Sequence, residues 1–263
     1  MGKLELQNLC FEYPEDDTPA LVDLNLTINE GEFICILGAS GCGKSTLLSI
    51  LEGLRKPSSG RFLINGQEVD GPGPERGVVF QHYSLFPWLS AKQNVVFGIK
   101  QVKKALKKKA LEEIADSYLA KVGMQGFENK LPAHLSGGMQ QRVAIARALA
   151  MNAKILLLDE PFGAVDTKNR HNLQKLVCAL HEEEKNTFIF VTHDVDEALL
   201  LADRIVFMVP QRIFRIIDVD LPKPREYEQI RKNEQFIQMQ KMLIDLFYEN
   251  DSDYSDESTE AKL

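Results

Sequence analysis

The chain has 263 residues, 44% of them apolar and 26% charged, with a net charge of −7, the make-up of an ordinary globular protein with enough apolar residues for a sizeable core. No apolar run approaches the roughly 18 residues that span a bilayer, and residues 1–5 lack the layout of a signal peptide. Residues 249–263 hold six acids and one base, so the acidity sits in the tail and the near-neutral remainder lacks the basic footprint of a nucleic-acid binder. The four cysteines, Cys10, Cys35, Cys42 and Cys178, form no CxxC pair, which predicts free thiols in a reducing compartment.

Leu4-Glu5-Leu6-Gln7-Asn8-Leu9 alternates with a period of two and predicts a strand with one solvated face; a second strand is expected around residues 21–28. Phe33-Ile34-Cys35-Ile36-Leu37 is continuously apolar, as in a strand buried on both faces. The run from Gly38 to Ser45 follows, then a helix through residues 45–51. Asn65-Gly66, between Phe62-Leu63-Ile64 and Gln67-Glu68-Val69, predicts a tight hairpin. From about Ala91 to Ala150 the pattern is helical. Short apolar runs then predict buried strands at residues 155–158, 188–191 and 205–208. Buried strands alternating with helices imply an α/β fold with a mostly parallel sheet covered on both sides, and the helical block reads as an insertion into it. Beyond Pro222 and Pro224 a helix is expected over residues 226–248. The Ser- and Asp-rich residues 249–263 are expected to be a disordered, solubilising tail.

Three stretches carry chemistry. Gly38-Ala39-Ser40-Gly41-Cys42-Gly43-Lys44-Ser45 fits GxxxxGK followed by Ser or Thr, between a buried strand and a helix. Its glycines let the backbone wrap so that N–H groups point at phosphates, and the following helix adds its positive N-terminal end. Lys44 is placed to reach the outer phosphates and Ser45 to offer its hydroxyl to Mg2+. Ile155-Leu156-Leu157-Leu158-Asp159-Glu160 is an apolar strand ending in two acids, which sets carboxylates at the ligand-binding edge of an open sheet. There Asp159 would hold the metal through water and Glu160 would polarise the water that attacks the terminal phosphate. Leu135-Ser136-Gly137-Gly138-Met139-Gln140-Gln141-Arg142 opens a helix with a Ser cap and two glycines, a second anion-binding helix end.

This last octamer closely resembles the signature motif of ATP-binding cassette (ABC) ATPases, and other positions fit the same family. Gln81 matches its Q-loop glutamine, which touches Mg2+ and senses the membrane partner. Gly163-Ala164-Val165-Asp166 resembles the D-loop, although Val165 stands where Leu is usual, which puts the fine tuning of the dimer contact in doubt. His193 matches the switch histidine that contacts the terminal phosphate, and Tyr13 the aromatic that stacks on adenine. The resemblance runs from Leu4 to about Val209. It implies a P-loop NTPase fold: a RecA-like core sheet, an N-terminal antiparallel β subdomain and an inserted helical subdomain. Residues 1–220 would form the ATPase domain, with the helical insertion at about residues 86–152 and a C-terminal extension at 221–248.

As the resemblance implies, ATP and Mg2+ bind to Tyr13, to Gly38 through Ser45 and to Thr46, with Ser45, Gln81 and Asp159 at the metal and Glu160, His193 and Gln81 catalytic. Ser136, Gly137, Gly138 and Gln140 contact ATP bound to a second copy of the chain, and Asp166 meets that copy across a head-to-tail dimer. The chain holds one phosphate loop and one signature, so neither site is complete within it. The work passes to separate membrane permease subunits at the cytoplasmic face of the cell membrane, fed by an extracytoplasmic solute-binding protein. The loop Leu85-Phe86-Pro87-Trp88-Leu89 is either packed internally or a groove for a permease helix. Lys103, Lys104, Lys107, Lys108 and Lys109 read first as a solvated helix face, with lipid contact the lesser reading. Residues 73–81 and 85–89, with Asp220-Leu221-Pro222-Lys223-Pro224-Arg225, look like cassettes of the nitrate, sulfonate and taurine importer group. The rival reading is a non-transport ABC ATPase acting on ribosomes or DNA; a small-molecule kinase would leave the signature octamer unexplained.

Overall fold

The computed structural model describes residues 3–14, 17–81, 83–163 and 165–260, with only the backbone described for 167–168 and 251–260. Two sheets organise it. In the first, β1 (Leu4–Phe11) is flanked by β2 (Leu21–Ile28) and β4 (Ser59–Ile64), and β5 (Gln67–Glu68) completes the antiparallel order β2-β1-β4-β5. The turn from β4 to β5 is the expected one: Asn65 and Gly66 both have positive φ, 53° and 75°, as a two-residue hairpin turn matched to the strand twist requires.

The second sheet has the order β10-β9-β3-β8-β7-β6. Its strands are β3 (Phe33–Gly38), β6 (Arg76–Val79), β7 (Ile155–Asp159), β8 (Thr187–Thr192), β9 (Arg204–Val209) and β10 (Arg212–Asp218). All pair in parallel except β10, which closes one edge antiparallel to β9. Sequence periodicity did not reveal β10, whose exposed outer residues leave no apolar run.

Alternation along each central strand divides the core. Phe33, Cys35 and Leu37 of β3, Leu156 and Leu158 of β7, and Phe188 and Phe190 of β8 point to one apolar cluster. Ile34, Ile36, Ile155, Leu157, Ile189 and Val191 point to the other, beneath α1 (Lys44–Leu51) and the first sheet. Both faces are therefore covered, and that burial is the main favourable term holding the sheet.

Between β6 and β7 lie α2 (Ala91–Val102), α3 (Lys108–Lys121) and α4 (Gly137–Ala150), packed on one another. Gly98 of α2 lets α4 close in: a Cβ there would stand 2.9 Å from the Arg147 Cγ. After β7 come α5 (Thr167–Glu184) and α6 (Val195–Leu201).

The C-terminal extension departs from expectation twice. It is two helices, α7 (Tyr227–Ile230) and α8 (Glu234–Glu260), because the Asn233 side chain accepts the N–H groups of Gln235 and Phe236, at 2.9 and 3.2 Å, and starts a new helix. The backbone of α8 also continues through Glu260, where the acidic residues predicted a structureless tail. No Pro or Gly interrupts residues 234–260, so nothing in the backbone chemistry ends the helix at residue 249; residues 261–263 of that tail lie outside the described residues. Buried Phe236, Leu243 and Leu246 seat α8 on the core, and Phe247 meets Phe207 edge-on at 5.0 Å.

Candidate nucleotide site

The phosphate loop joins the C-terminal end of β3 to α1. Two of its glycines are compelled by space: a Cβ on Gly38 would lie 2.4 Å from the Met208 carbonyl oxygen, and one on Gly43 2.8 Å from the Leu21 Cδ2 and 3.0 Å from the Ala20 oxygen. Gly43 also has φ 108°, a conformation that side chains rarely adopt. It caps α1 without a side-chain acceptor, and no acid stands in the first turn, so the helix presents its N–H groups and its positive end to the loop. The buried Lys44 ammonium donates to the Gly38 and Ala39 carbonyls, each at 2.7 Å. Burial pushes the neighbouring Cys42 thiol up, which keeps it a neutral packing group. Ser40, Gly41 and Ser45 are exposed along the loop.

Tyr13 lies above the same helix. Its hydroxyl shares a hydrogen bond with the Thr46 Oγ1 at 2.9 Å, and Phe11 meets the ring edge-on at 5.0 Å. The Arg55 guanidinium stacks 4.7 Å from the ring centroid.

Asp159 and Glu160 emerge at the end of β7, with Asp159 in register with Val191 of β8. Burial pushes the Asp159 carboxyl above the usual aspartate range and the Glu160 charge adds to it, while the Lys44 ammonium pulls the other way. The two acids and the lysine thus share one electrostatic neighbourhood. Glu160 has φ 38°, unusual for a residue with a side chain; its N–H donates to the Val191 oxygen at 3.1 Å and its carbonyl accepts from Gly163 at 3.1 Å. Held this way, its carboxylate Oε2 lies 3.3 Å from the Nδ1 of His193. Gln81 approaches the same turn: a Cβ on Gly163 would stand 3.1 Å from its Nε2. Among the described residues no group of three or more His, Cys, Asp or Glu could hold a metal ion. A hydroxyl, an amide and a carboxylate, as Ser45, Gln81 and Asp159 would offer, are the sparse oxygen set that suits Mg2+ bound together with phosphate and water.

The signature stretch caps its helix as expected. The Ser136 Oγ accepts the Met139 N–H at 3.3 Å and caps α4, and Gln140 Nε2 donates to the Leu135 oxygen at 3.1 Å. Gly138 faces α5: an added Cβ would find Asn169 at 3.6 Å and Val165 at 3.7 Å. Asp166 caps α5 by accepting the Asn169 N–H at 3.1 Å. Among the described residues no hydrogen bond or ion pair joins Ser136, Gly137, Gly138 or Gln140 to the phosphate loop. Ala164 beside Val165, and His82 after Gln81, lie outside the described residues.

Some buried or half-buried charges escaped sequence reasoning. In the helical insertion, Arg147 of α4 donates to the Ser84 carbonyl at 2.7 Å, and Arg142 to the Val122 carbonyl at 2.6 Å; periodicity does not distinguish a half-buried arginine from a solvated one. Glu52 is buried behind Asp159. One signal was available for it: Glu52 continues the apolar register of α1, four residues after the buried Leu48.

A family model described as ABC transporter matches residues 21–163 of this chain. The chain belongs to the ABC transporter family. It is accordingly an ABC ATPase, a cassette that binds and hydrolyses ATP. The nitrate import ATP-binding protein NrtD of Synechococcus elongatus is 42% identical over 241 residues, covering 90% of this chain and 88% of the relative. The bicarbonate transport ATP-binding protein CmpD of the same organism is also 42% identical over 241 residues, covering 90% and 87%. Among solved structures, the ATP-binding cassette MJ0796, dimeric in a post-hydrolysis state with ADP and Pi, superposes with a TM-score of 0.74 at 34% identity. It covers 83% of this chain and 100% of that one.

Proposed function

We propose that this chain is the ATP-hydrolysing subunit of an importer for a small solute, of the nitrate, sulfonate or taurine type, working through separate membrane permease subunits. The observation that carries the hydrolytic half is the pair Glu160–His193 at 3.3 Å beside the phosphate loop. Loop N–H groups and Lys44 hold the phosphates, and Tyr13 stacks on adenine. Glu160 takes the proton of the attacking water, and His193 orients that carboxylate and meets the terminal phosphate. Mg2+, when bound at Ser45, Gln81 and Asp159, supplies charge neutralisation of the phosphate oxygens. Ser136, Gly137, Gly138 and Gln140 serve the ATP of a second copy, and Asp166 lies at that contact. That no hydrogen bond or ion pair joins the signature to the phosphate loop among the described residues supports this head-to-tail reading, as does the dimer of the MJ0796 cassette.

No helix among the described residues is long and apolar enough to cross a membrane, so the cassette reaches the cytoplasmic membrane face through its permease. The docking point we assign is the loop before α2. Asn94, fully buried, accepts the Phe86 N–H at 2.8 Å and donates to the carbonyls of Phe86, Leu89 and Ser90, which stiffens the loop. Trp88 is nonetheless 71% exposed and Phe97 41% exposed, with Phe86 between them at 5.6 and 4.5 Å between ring centroids. A rigid loop that leaves its largest aromatic in water favours a docking surface over internal packing. The cargo is read from kinship alone, since relatives named for nitrate and for bicarbonate match equally well. Reconstitution with a candidate membrane permease of the nitrate, sulfonate or taurine importer type tests the proposal. Stimulated ATPase activity, lost in a Phe86→Ala/Trp88→Ala double variant, is the expected result; stimulation by ribosomes or DNA instead would overturn it.

A further inference from the structure

We propose that Arg170 is a positioning residue for hydrolysis, one that ties the first turns of α5 to the turn carrying His193 and so holds that imidazole at Glu160. The inference rests on the roles proposed above for Glu160 and His193.

The turn after β8 is clamped on both sides of His193. The Thr192 hydroxyl accepts the Asp194 N–H at 3.0 Å and donates to Glu197 Oε2 at 2.8 Å. Asp194 Oδ1 in turn accepts the Glu197 N–H at 3.1 Å. The other Glu197 oxygen accepts from Gln174 of α5 at 3.2 Å. Thr192, Gln174 and Glu197 are all buried, so the hydrogen bonds are shielded from water and fix the turn.

Arg170 stands one turn before Gln174 on the same face of α5. Its Nη1 lies 3.6 Å from Asp194 Oδ2 and its Nε 3.9 Å from Glu197 Oε1. It is the cation that answers two acids crowded into one turn next to Glu160. The Nε is buried and has no hydrogen-bond partner among the described residues, so its hold is electrostatic, and removing it leaves the buried Glu197 carboxylate with only the hydrogen bonds from Thr192 and Gln174. The residue before it, Asn169, packs against Gly138 of the signature helix. One turn of helix therefore touches the signature stretch on one side and the His193 turn on the other.

Loss of Arg170 leaves the turn held by its hydrogen bonds alone and unanchored to the cation of α5, and a displacement of about 1 Å at His193 costs on the order of a hundredfold in rate without touching the groups that bind ATP. The test is steady-state ATPase kinetics of the full chain carrying Arg170→Met, with Arg170→Lys and His193→Ala measured alongside. The expected result is a kcat lowered at least tenfold by Arg170→Met, a KM for ATP within twofold of the parent, and partial recovery in Arg170→Lys. A kcat within twofold of the parent overturns the proposal. So does a parallel loss of kcat, ATP affinity and thermal stability, the mark of a merely structural ion pair. If Arg170→Met does not fold, Glu197→Gln decides by the same kcat and KM criteria, since it removes the charge that Arg170 answers. If His193→Ala leaves kcat unchanged, the underlying role of His193 fails and the inference falls with it.

Discussion

His193 Nδ1 stands 3.3 Å from Glu160 Oε2, a contact that joins the ends of two neighbouring parallel strands, β8 and β7. The His193 side chain is 66% exposed, and Glu160 is held by backbone bonds at a φ of 38°. Backbone strain of this kind persists where the surroundings over-determine it, and it collects at functional sites. Replacing His193 with Ala is expected to lower kcat by about 10²-fold or more while nucleotide affinity, read by a fluorescent ATP analogue, changes little. Unchanged turnover would remove His193 from the mechanism.

Gly43 and Gly41 separate two demands on the phosphate loop. Gly43→Ala meets both a φ of 108° and a Cβ 2.8 Å from Leu21, whereas Gly41→Ala meets a φ of 83° with nothing within 4 Å. The first is expected to cost about 2–3 kcal/mol and the second about 1 kcal/mol, the cost of the backbone conformation alone. Thermal melts of the two variants without nucleotide check the order, and equal shifts would show that the clash at Leu21 is relieved without cost.

Tyr13 is fixed by its hydroxyl bond to Thr46, by Phe11 at its edge and by Arg55 at 4.7 Å over its ring. Arg55→Met removes a cation–π contact worth about 0.5–1 kcal/mol at an exposed site, so ATP affinity is expected to fall two- to fivefold. Tyr13→Ala, which removes the ring proposed to stack on adenine, is expected to cost more. Binding titrations with ATP and with inorganic triphosphate distinguish the cause: only ATP binding should weaken, and equal weakening of both would place the effect at the phosphates.

Burial, with a further push from the Asp159 charge, raises the Glu52 carboxyl to about 7. Between about pH 4.5 and 7 the folded chain keeps a proton that the unfolded chain has shed, so Glu52 makes stability fall as pH rises through that window, and the full cost persists above it. The cost approaches roughly 3 kcal/mol at pH 8. Glu52→Gln is therefore expected to melt several degrees above the parent at pH 8 and close to it at pH 4.5, measured without nucleotide. A pH-independent difference would contradict the burial of a titrating acid there.

The strands buried on both faces were legible as continuous apolar runs, the hairpin as Asn65-Gly66, and the phosphate loop as a glycine pattern between a strand and a helix. Each is a local signal, written within about ten residues. What escaped was either weakly apolar or non-local. The edge strand β10 has no apolar run because most of its residues face water. The clamp on His193 joins Arg170 and Gln174 to Asp194 and Glu197 across more than twenty residues, and no spacing rule connects a helix to the turn it packs on. The break before α8 was legible in principle, since Asn233 is a strong helix cap, but the apolar periodicity on either side of it masked the boundary.

In the proposed head-to-tail arrangement this chain carries half of each of two ATP sites, its Ser136, Gly137 and Gly138 serving the ATP of a second copy. The most direct test is the mass in solution of the Glu160→Gln variant at saturating ATP and Mg2+, by light scattering. With the proposed base removed and the proposed binding groups intact, ATP should stay bound and the mass should double from that of one chain, then return to one on removal of nucleotide; adding Ser136→Arg should abolish the doubling. A Glu160→Gln chain that stays single with ATP bound, or that hydrolyses ATP at the parent rate, would contradict the claim.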